Sequence, residues 1–260
     1  MPELPEVETY RLLGERAIGR RISEVLAPDA WYLKRGLDAQ RVGDALRGRR
    51  FTGARRVGKL MLLDTDAGVV VGLRFGMTGR LVVDNDAGDT ELIYSSNADN
   101  EAWDRFTVRF DDGGDLRMRD PRRLGGVELD PPIDRLGDDA LTITRARLAA
   151  ALAGSAAPVK ARLLDQSRVA GVGNLIADET LFRAGIDPRR PSRSLDPDEI
   201  KRLHTALRRS VRDLMKRGGS HTGDFLPHRV PGGTCPKDGT PLLRATVGTR
   251  TTWWCPTHQI

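Results

Sequence analysis

The apolar positions of this chain change their period once along its length. Residues from Pro2 to about Arg16 show helical spacing, with Val7, Tyr10 and Leu13 on one side and proline confined to the first turn. Short strand-like runs follow at Met61–Leu63, Val69–Phe75, Arg80–Val83, Phe106–Phe110 and Leu116–Met118. Turn-forming stretches such as Asp64-Thr-Asp-Ala-Gly68 and Asp111-Asp-Gly-Gly114 separate them, a layout that predicts a β-sandwich or barrel. Asp130-Pro-Pro-Ile-Asp134 reads as a linker. Beyond it, the spacing becomes three and four residues, predicting helices near 144–153, 158–169, 174–184 and 196–217. Gly171-Val-Gly173 breaks two of these apart, and Gly218-Gly219 closes the last. The final 30 residues or so are rich in glycine and proline, and a segment that small needs a staple beyond its own core.

Composition narrows the class. With 260 residues, 39% apolar and 30% charged, the chain is expected to be a soluble globular protein of one large or two modest domains. No run of about 18 apolar residues exists to form a transmembrane helix. The N-terminus carries acids early and has no apolar core, so it does not read as a signal peptide, and a cytoplasmic location is expected. Only two cysteines occur, Cys235 and Cys255, which in that compartment points to a metal site or free thiols before a disulfide. Residues 1–140 hold 22 basic and 26 acidic side chains, whereas 141–260 hold 20 and 10. A one-sided excess of that size suits a polyanion as partner, although a well-solvated basic surface has the same composition.

The N-terminus is a candidate reagent. Pro2 is small enough to permit removal of Met1, which would leave a secondary amine at the chain terminus. An α-amino group titrates near about 7.7, against about 10.4 for lysine, so a useful fraction is unprotonated at neutral pH. Such an amine attacking an aldehyde-like sugar carbon forms an iminium ion, which stays positively charged and draws electrons for elimination. Glu3 lies beside it to move protons and Glu6 one turn on. The plainer reading of the same residues is a helix start, with proline in the first turn and glutamates complementing the dipole.

Pro2-Glu-Leu-Pro-Glu-Val-Glu8 resembles the opening of the formamidopyrimidine-DNA glycosylase family, which also includes endonuclease VIII. Gly58-Lys59-Leu60, Phe75-Gly-Met-Thr-Gly-Arg80 and Asp120-Pro-Arg-Arg123 resemble that family's hairpin, strand-turn and loop motifs. Val159-Lys-Ala-Arg-Leu-Leu-Asp-Gln166 through Val169-Ala-Gly-Val-Gly-Asn-Leu-Ile-Ala-Asp-Glu179 is similar to its helix–two-turn–helix signature. The resemblance implies an α+β multidomain fold with three parts. These are an N-terminal helix plus β-sandwich catalytic domain (1–130, then a linker at 131–140), a helix–two-turn–helix DNA-binding domain (141–225), and a zinc-finger-like β-hairpin (229–260). It implies a bifunctional DNA glycosylase and abasic-site lyase of base excision repair, a monomer acting on damaged double-stranded DNA. By the same resemblance Pro2 is the nucleophile, Glu3 the acid/base, Glu6 an accessory carboxylate, and Lys59 a phosphate grip beside the lesion. Asn174, at the start of a helix, and Lys160 are expected to meet the DNA backbone. Flipping a nucleotide leaves a void, which Met77, Arg122 and Leu124 are expected to fill. The family usually has an aromatic where Leu124 stands, so stacking there is in question.

The family's tail carries four cysteines, each pair with a two-residue gap. Here the matching positions are Cys235, Asp238, Cys255 and His258, with the gaps kept and sixteen residues between the pairs. Zinc accepts thiolate, imidazole and carboxylate, so this set is expected to hold a structural zinc, with water replacing a ligand or no metal as the alternatives. Arg250 resembles the finger arginine that reaches phosphates. The segment from Ser220 to Cys235 is shorter than is general in the oxidised-purine branch, while Pro2-Glu-Leu-Pro5 is that branch's opening, so the two cues conflict about the lesion. Two rivals stand beside the main reading: a lyase specialised for abasic sites or an unusual adduct, and a non-catalytic binder of damaged DNA.

Overall fold

A computed structural model describes residues 2–88, 92 and 100–260. The chain divides into two compact units, Met1–Ile133 and Asp134–Ile260.

The first unit opens with α1 (Leu4–Gly14), capped by a reciprocal box in which Glu3 accepts from the Glu6 N–H and Glu6 accepts from the Glu3 N–H. Among the described residues eight strands follow: β1 (Ile22–Leu26), β2 (Phe51–Val57), β3 (Leu60–Thr65), β4 (Val70–Arg74), β5 (Arg80–Val83), β6 (Asp104–Phe110), β7 (Asp115–Arg119) and β8 (Gly126–Leu129). A short helix, α2 (Ala39–Leu46), lies between β1 and β2. The strands form two antiparallel sheets, ordered β1-β6-β7-β5 and β2-β3-β4-β8. Val7 and Tyr10 of α1 join Phe51, Met61, Leu73, Phe75, Leu81, Phe106 and Met118 in one buried core. Of the two architectures that the strand spacing allows, the sandwich is the one formed.

The runs read from the sequence correspond to β3 to β7, whereas β1, β2, β8 and α2 carry too weak a pattern to be seen. In β2 the reason is electrostatic. Arg55 pairs with Asp64 and Arg56 with Glu8, so its charged positions face protein partners and blur the alternation.

The second unit contains β9 (Asp138–Asp139), α3 (Arg145–Leu152), α4 (Val159–Leu164), β10 (Val169–Ala170), α5 (Asn174–Ala184), α6 (Pro197–Lys216) and the hairpin β11 (Leu243–Val247) and β12 (Arg250–Trp254). The stretch expected as a linker is thus partly structured, since β9 pairs in parallel with β10. The helix expected over 158–169 stops at Leu164. Asp165 turns the chain by accepting from the N–H and hydroxyl of Ser167. Gln166 then crosslinks the turn, donating to the carbonyls of Leu164 and Val172 and accepting from the Gly171 N–H. Leu148, Leu163, Ile176, Leu181, Leu207 and Val211 are among the buried residues of this unit. A second apolar cluster of Phe182, Phe225, Cys235, Trp253 and Cys255 underlies the tail, with the two phenylalanine rings stacked at 4.3 Å.

Candidate active site and DNA contacts

Pro2 and Glu3 are both buried at the mouth of α1. The Glu3 N–H donates to Glu6 Oε2 at 2.8 Å, so Glu6, 2% exposed, holds the backbone of the acid/base candidate in place.

Lys59 sits in the two-residue turn joining β2 to β3, half-buried, after Gly58 at φ +59°. A positive φ at the first turn position alone is the arrangement that needs glycine and matches the strand twist. Arg56 fastens this turn to α1 by donating to Glu8 at 2.9 Å and to the Gly58 carbonyl at 2.8 Å. Glu8 also accepts from Arg11 at 2.8 Å. The helix carrying Pro2 and Glu3 and the turn carrying Lys59 therefore share one ionic bridge. Sequence reasoning quoted Glu8 within a motif but gave it no task.

The three expected void-fillers belong to two loops held by one carboxylate. Asp120, 0% exposed, accepts from the Thr78 hydroxyl at 2.6 Å, the Gly125 N–H at 2.8 Å and the Arg122 N–H at 3.2 Å. A Cβ on Gly76 would lie 2.4 Å from the Leu124 carbonyl carbon, so only glycine lets the loops touch. Met77 is half-buried, Arg122 is exposed and Leu124 is 49% exposed. That exposure removes core packing as an account of Leu124.

In the second unit, Asn174 and Arg250 lie around one peptide. Asn174 is the first residue of α5 rather than its cap, a position taken by Gly173. Its side-chain amide donates to the Thr251 carbonyl at 3.2 Å, and Arg250, exposed, is the next residue back along β12. Lys160 requires a correction. It is 0% exposed, its ammonium 2.6 Å from both Asp178 and the Thr252 hydroxyl and 3.3 Å from the Thr251 carbonyl. Arg229 completes the buried group at 2.8 Å from Asp178. Burial pushes the Asp178 carboxyl above its ordinary range, opposed by the two cations. Lys160 thus presents no charge to a phosphate; it ties α4 and α5 to the hairpin on which Arg250 sits.

At the tail, ligand atoms of Cys235, Asp238 and Cys255 lie within 4.8 Å of one another. Donor chemistry and spacing fit a metal ion at these three. His258, expected as a fourth ligand, stands outside the group: its Nε2 is 2.8 Å from the Phe182 carbonyl, and its backbone N–H donates to the Cys255 sulfur at 3.2 Å. Trp254 is 2% exposed and Trp253 9%, so both pack the hairpin.

Two family models match the chain: the formamidopyrimidine-DNA glycosylase N-terminal domain over residues 1–127 and the H2TH domain of that glycosylase over 136–225. The chain is 36% identical to a formamidopyrimidine-DNA glycosylase of Stenotrophomonas maltophilia (strain R551-3), covering 98% of each. It is 32% identical to that of Roseiflexus sp. (strain RS-1), covering 100% of each. Among solved structures, the Lactococcus lactis Fpg in complex with DNA containing an abasic site aligns over 100% of both chains, with a TM-score of 0.83 and 25% identity. A complex of the same bacterium's protein with DNA containing an oxidised pyrimidine aligns over 99% of both, with a TM-score of 0.82 and 26% identity.

Proposed function

The chain belongs to the formamidopyrimidine-DNA glycosylase family, and is thus a DNA glycosylase of base excision repair with abasic-site lyase activity; from that premise we propose that Pro2 is its nucleophile. The observation that carries the proposal is the capping box: Pro2 and Glu3 are buried at a helix start that Glu6 fixes from below.

With Met1 removed, the Pro2 amine adds to C1′ of a flipped, oxidised nucleotide as the N-glycosidic bond breaks. The first product is an aminal at C1′; as its nitrogen gives up the amine proton and O4′ takes one, the C1′–O4′ bond breaks, and the opened sugar carries an iminium ion at C1′. Glu3 delivers and withdraws protons on the sugar during base departure and the eliminations that follow. The positive charge on nitrogen accepts the electron pair left when the C2′ proton is removed. Loss of the 3′ phosphate and then of the 5′ phosphate completes β- and δ-elimination. Lys59 holds a phosphate beside the lesion. Asn174 and Arg250 take the backbone from the second unit, where the positive end of the α5 dipole favours an anion. Met77, Arg122 and Leu124 occupy the space the flipped nucleotide leaves, a leucine being able to wedge between bases.

Cys235, Asp238 and Cys255 would hold a structural zinc, with water in place of the fourth protein ligand. The ion would supply the staple that so small a tail requires. Purified protein is expected to contain about one zinc per chain; well under one would remove the metal from this account.

The experiment for the function as a whole is a strand-cleavage assay on duplexes carrying 8-oxoguanine, a formamidopyrimidine, an oxidised pyrimidine or an abasic site. Cleavage at one or more modified bases, leaving phosphate at both ends of the gap, is expected. Cleavage at the abasic site alone would favour a specialised lyase, the reading motivated by Leu124 standing where an aromatic is usual. Binding with no cleavage anywhere would make the protein a damage binder.

A further inference from the structure

Next to the Arg122–Leu124 loop, within the same unit, lies a pocket of about 470 Å³ whose walls include Asp29, Trp31, Asp104, Arg105 and Arg123. Trp31 is 68% exposed, and its backbone is held on both sides. Its backbone N–H donates to Asp29 at 3.1 Å, its carbonyl accepts from Lys34 at 2.7 Å, and the Lys34 ammonium stands 5.0 Å from the indole centre. Asp29 also grips Arg123 with two hydrogen bonds, at 2.6 and 2.7 Å. Arg123 has φ +57°, a conformation seldom adopted by a residue with a side chain and kept only where the surroundings impose it. One aspartate thus holds both the backbone of Trp31 and the side chain of Arg123, which neighbours Arg122 and Leu124 in the loop.

The lining chooses among ligands. Asp29 and Asp104 match Arg105 and Arg123 in charge, so a phosphate or an acidic peptide would meet two carboxylates. A flat, uncharged heterocycle meets none of that repulsion. The indole offers it a stacking surface, and guanidinium N–H groups suit the acceptor edge of a base. Arg105 spends its Nε on the Asp120 carbonyl at 3.0 Å, and its terminal nitrogens make no hydrogen bond among the described residues.

We propose that this pocket takes a nucleobase of the DNA strand facing the lesion, stacked on Trp31, and so supplies aromatic contact where Leu124 has no ring. The inference rests on the DNA-repair reading given above. It adds a contact to the undamaged strand that no motif in the sequence announces.

The test measures affinity for a duplex with an uncleavable tetrahydrofuran abasic analogue. Trp31→Ala is expected to weaken binding roughly five- to hundredfold, the range for loss of one aromatic–base stack, and Trp31→Phe to restore most of it. The Trp31→Ala loss should disappear when the facing strand lacks bases at and beside the position opposite the analogue. Equal affinity of Trp31→Ala and wild type would overturn the proposal, as would an undiminished loss on the base-free strand. Trp31 is exposed and takes no part in the chemistry. Trp31→Ala at saturating concentration should therefore still be trapped by borohydride on a true abasic site. Failure of wild type itself to bind or be trapped would instead remove the underlying DNA-repair reading.

Discussion

Glu3→Gln is expected to slow excision and strand cleavage by about 10²- to 10⁴-fold, the usual contribution of a positioned acid/base group. The substitution is well isolated. A glutamine carbonyl oxygen can still accept from the Glu6 N–H, so the capping box and α1 should persist. Its neutral amide cannot exchange a proton with the sugar. The expected pattern is therefore an unchanged melting temperature, near-normal affinity for an abasic analogue, and a collapsed single-turnover rate. A rate within about threefold of wild type would assign Glu3 to helix capping alone, since that is far below an acid/base contribution. Glu6→Gln separates the two roles further. Glu6 orients Glu3 through its backbone, so a smaller loss is expected there, and one as large as for Glu3 would place Glu6 in the chemistry itself.

The largest structural effect is expected at Asp120. Its carboxylate is fully buried and receives three hydrogen bonds, from Thr78, Arg122 and Gly125. Asp120→Ala strands these donors in the interior, at about 1–3 kcal/mol for each group left unsatisfied and less than additively. We expect a net loss of about 3–5 kcal/mol, which for a unit of this size lowers the melting temperature by on the order of 10 °C. Thr78→Val removes one of the bonds and should cost about 1 kcal/mol. Both variants should also bind abasic DNA less tightly, because the loops bearing Met77, Arg122 and Leu124 lose their common anchor. Calorimetry and an affinity measurement on the same samples check this. An Asp120→Ala protein as stable as wild type would mean that the loops are held by packing alone.

Much of this was legible in the sequence because the relevant signals are local. Pro2, Glu3 and Glu6 share one helical turn, and Lys59 and Gly58 make a turn whose backbone demands glycine. The strongly apolar strands β3 to β7 could be read from alternation. What stayed hidden depends on partners distant in the chain. The 8-to-56 and 120-to-78 contacts leave no periodic trace, so Glu8 and Asp120 stood as motif letters without tasks. Lys160 departs from its expected contact with DNA for the same reason: a lysine on a short helix reads as accessible, whereas Asp178 and Thr252 close over it. At the tail, the paired two-residue gaps grouped Cys235, Asp238, Cys255 and His258, of which the first three come together, but nothing in the spacing foretold that the His258 ring meets the Phe182 carbonyl.

The central claim, that the Pro2 amine forms an imine with the sugar, is tested most directly by borohydride reduction in the presence of an abasic-site duplex, with wild type and Pro2→Gly side by side. The account predicts a covalent protein–DNA complex for wild type whose reduced linkage maps to the residue 2 nitrogen by peptide mass analysis, and slower trapping for the variant, whose primary amine replaces a secondary one. A wild-type complex linked through a lysine side chain, or no complex despite tight binding, would contradict it.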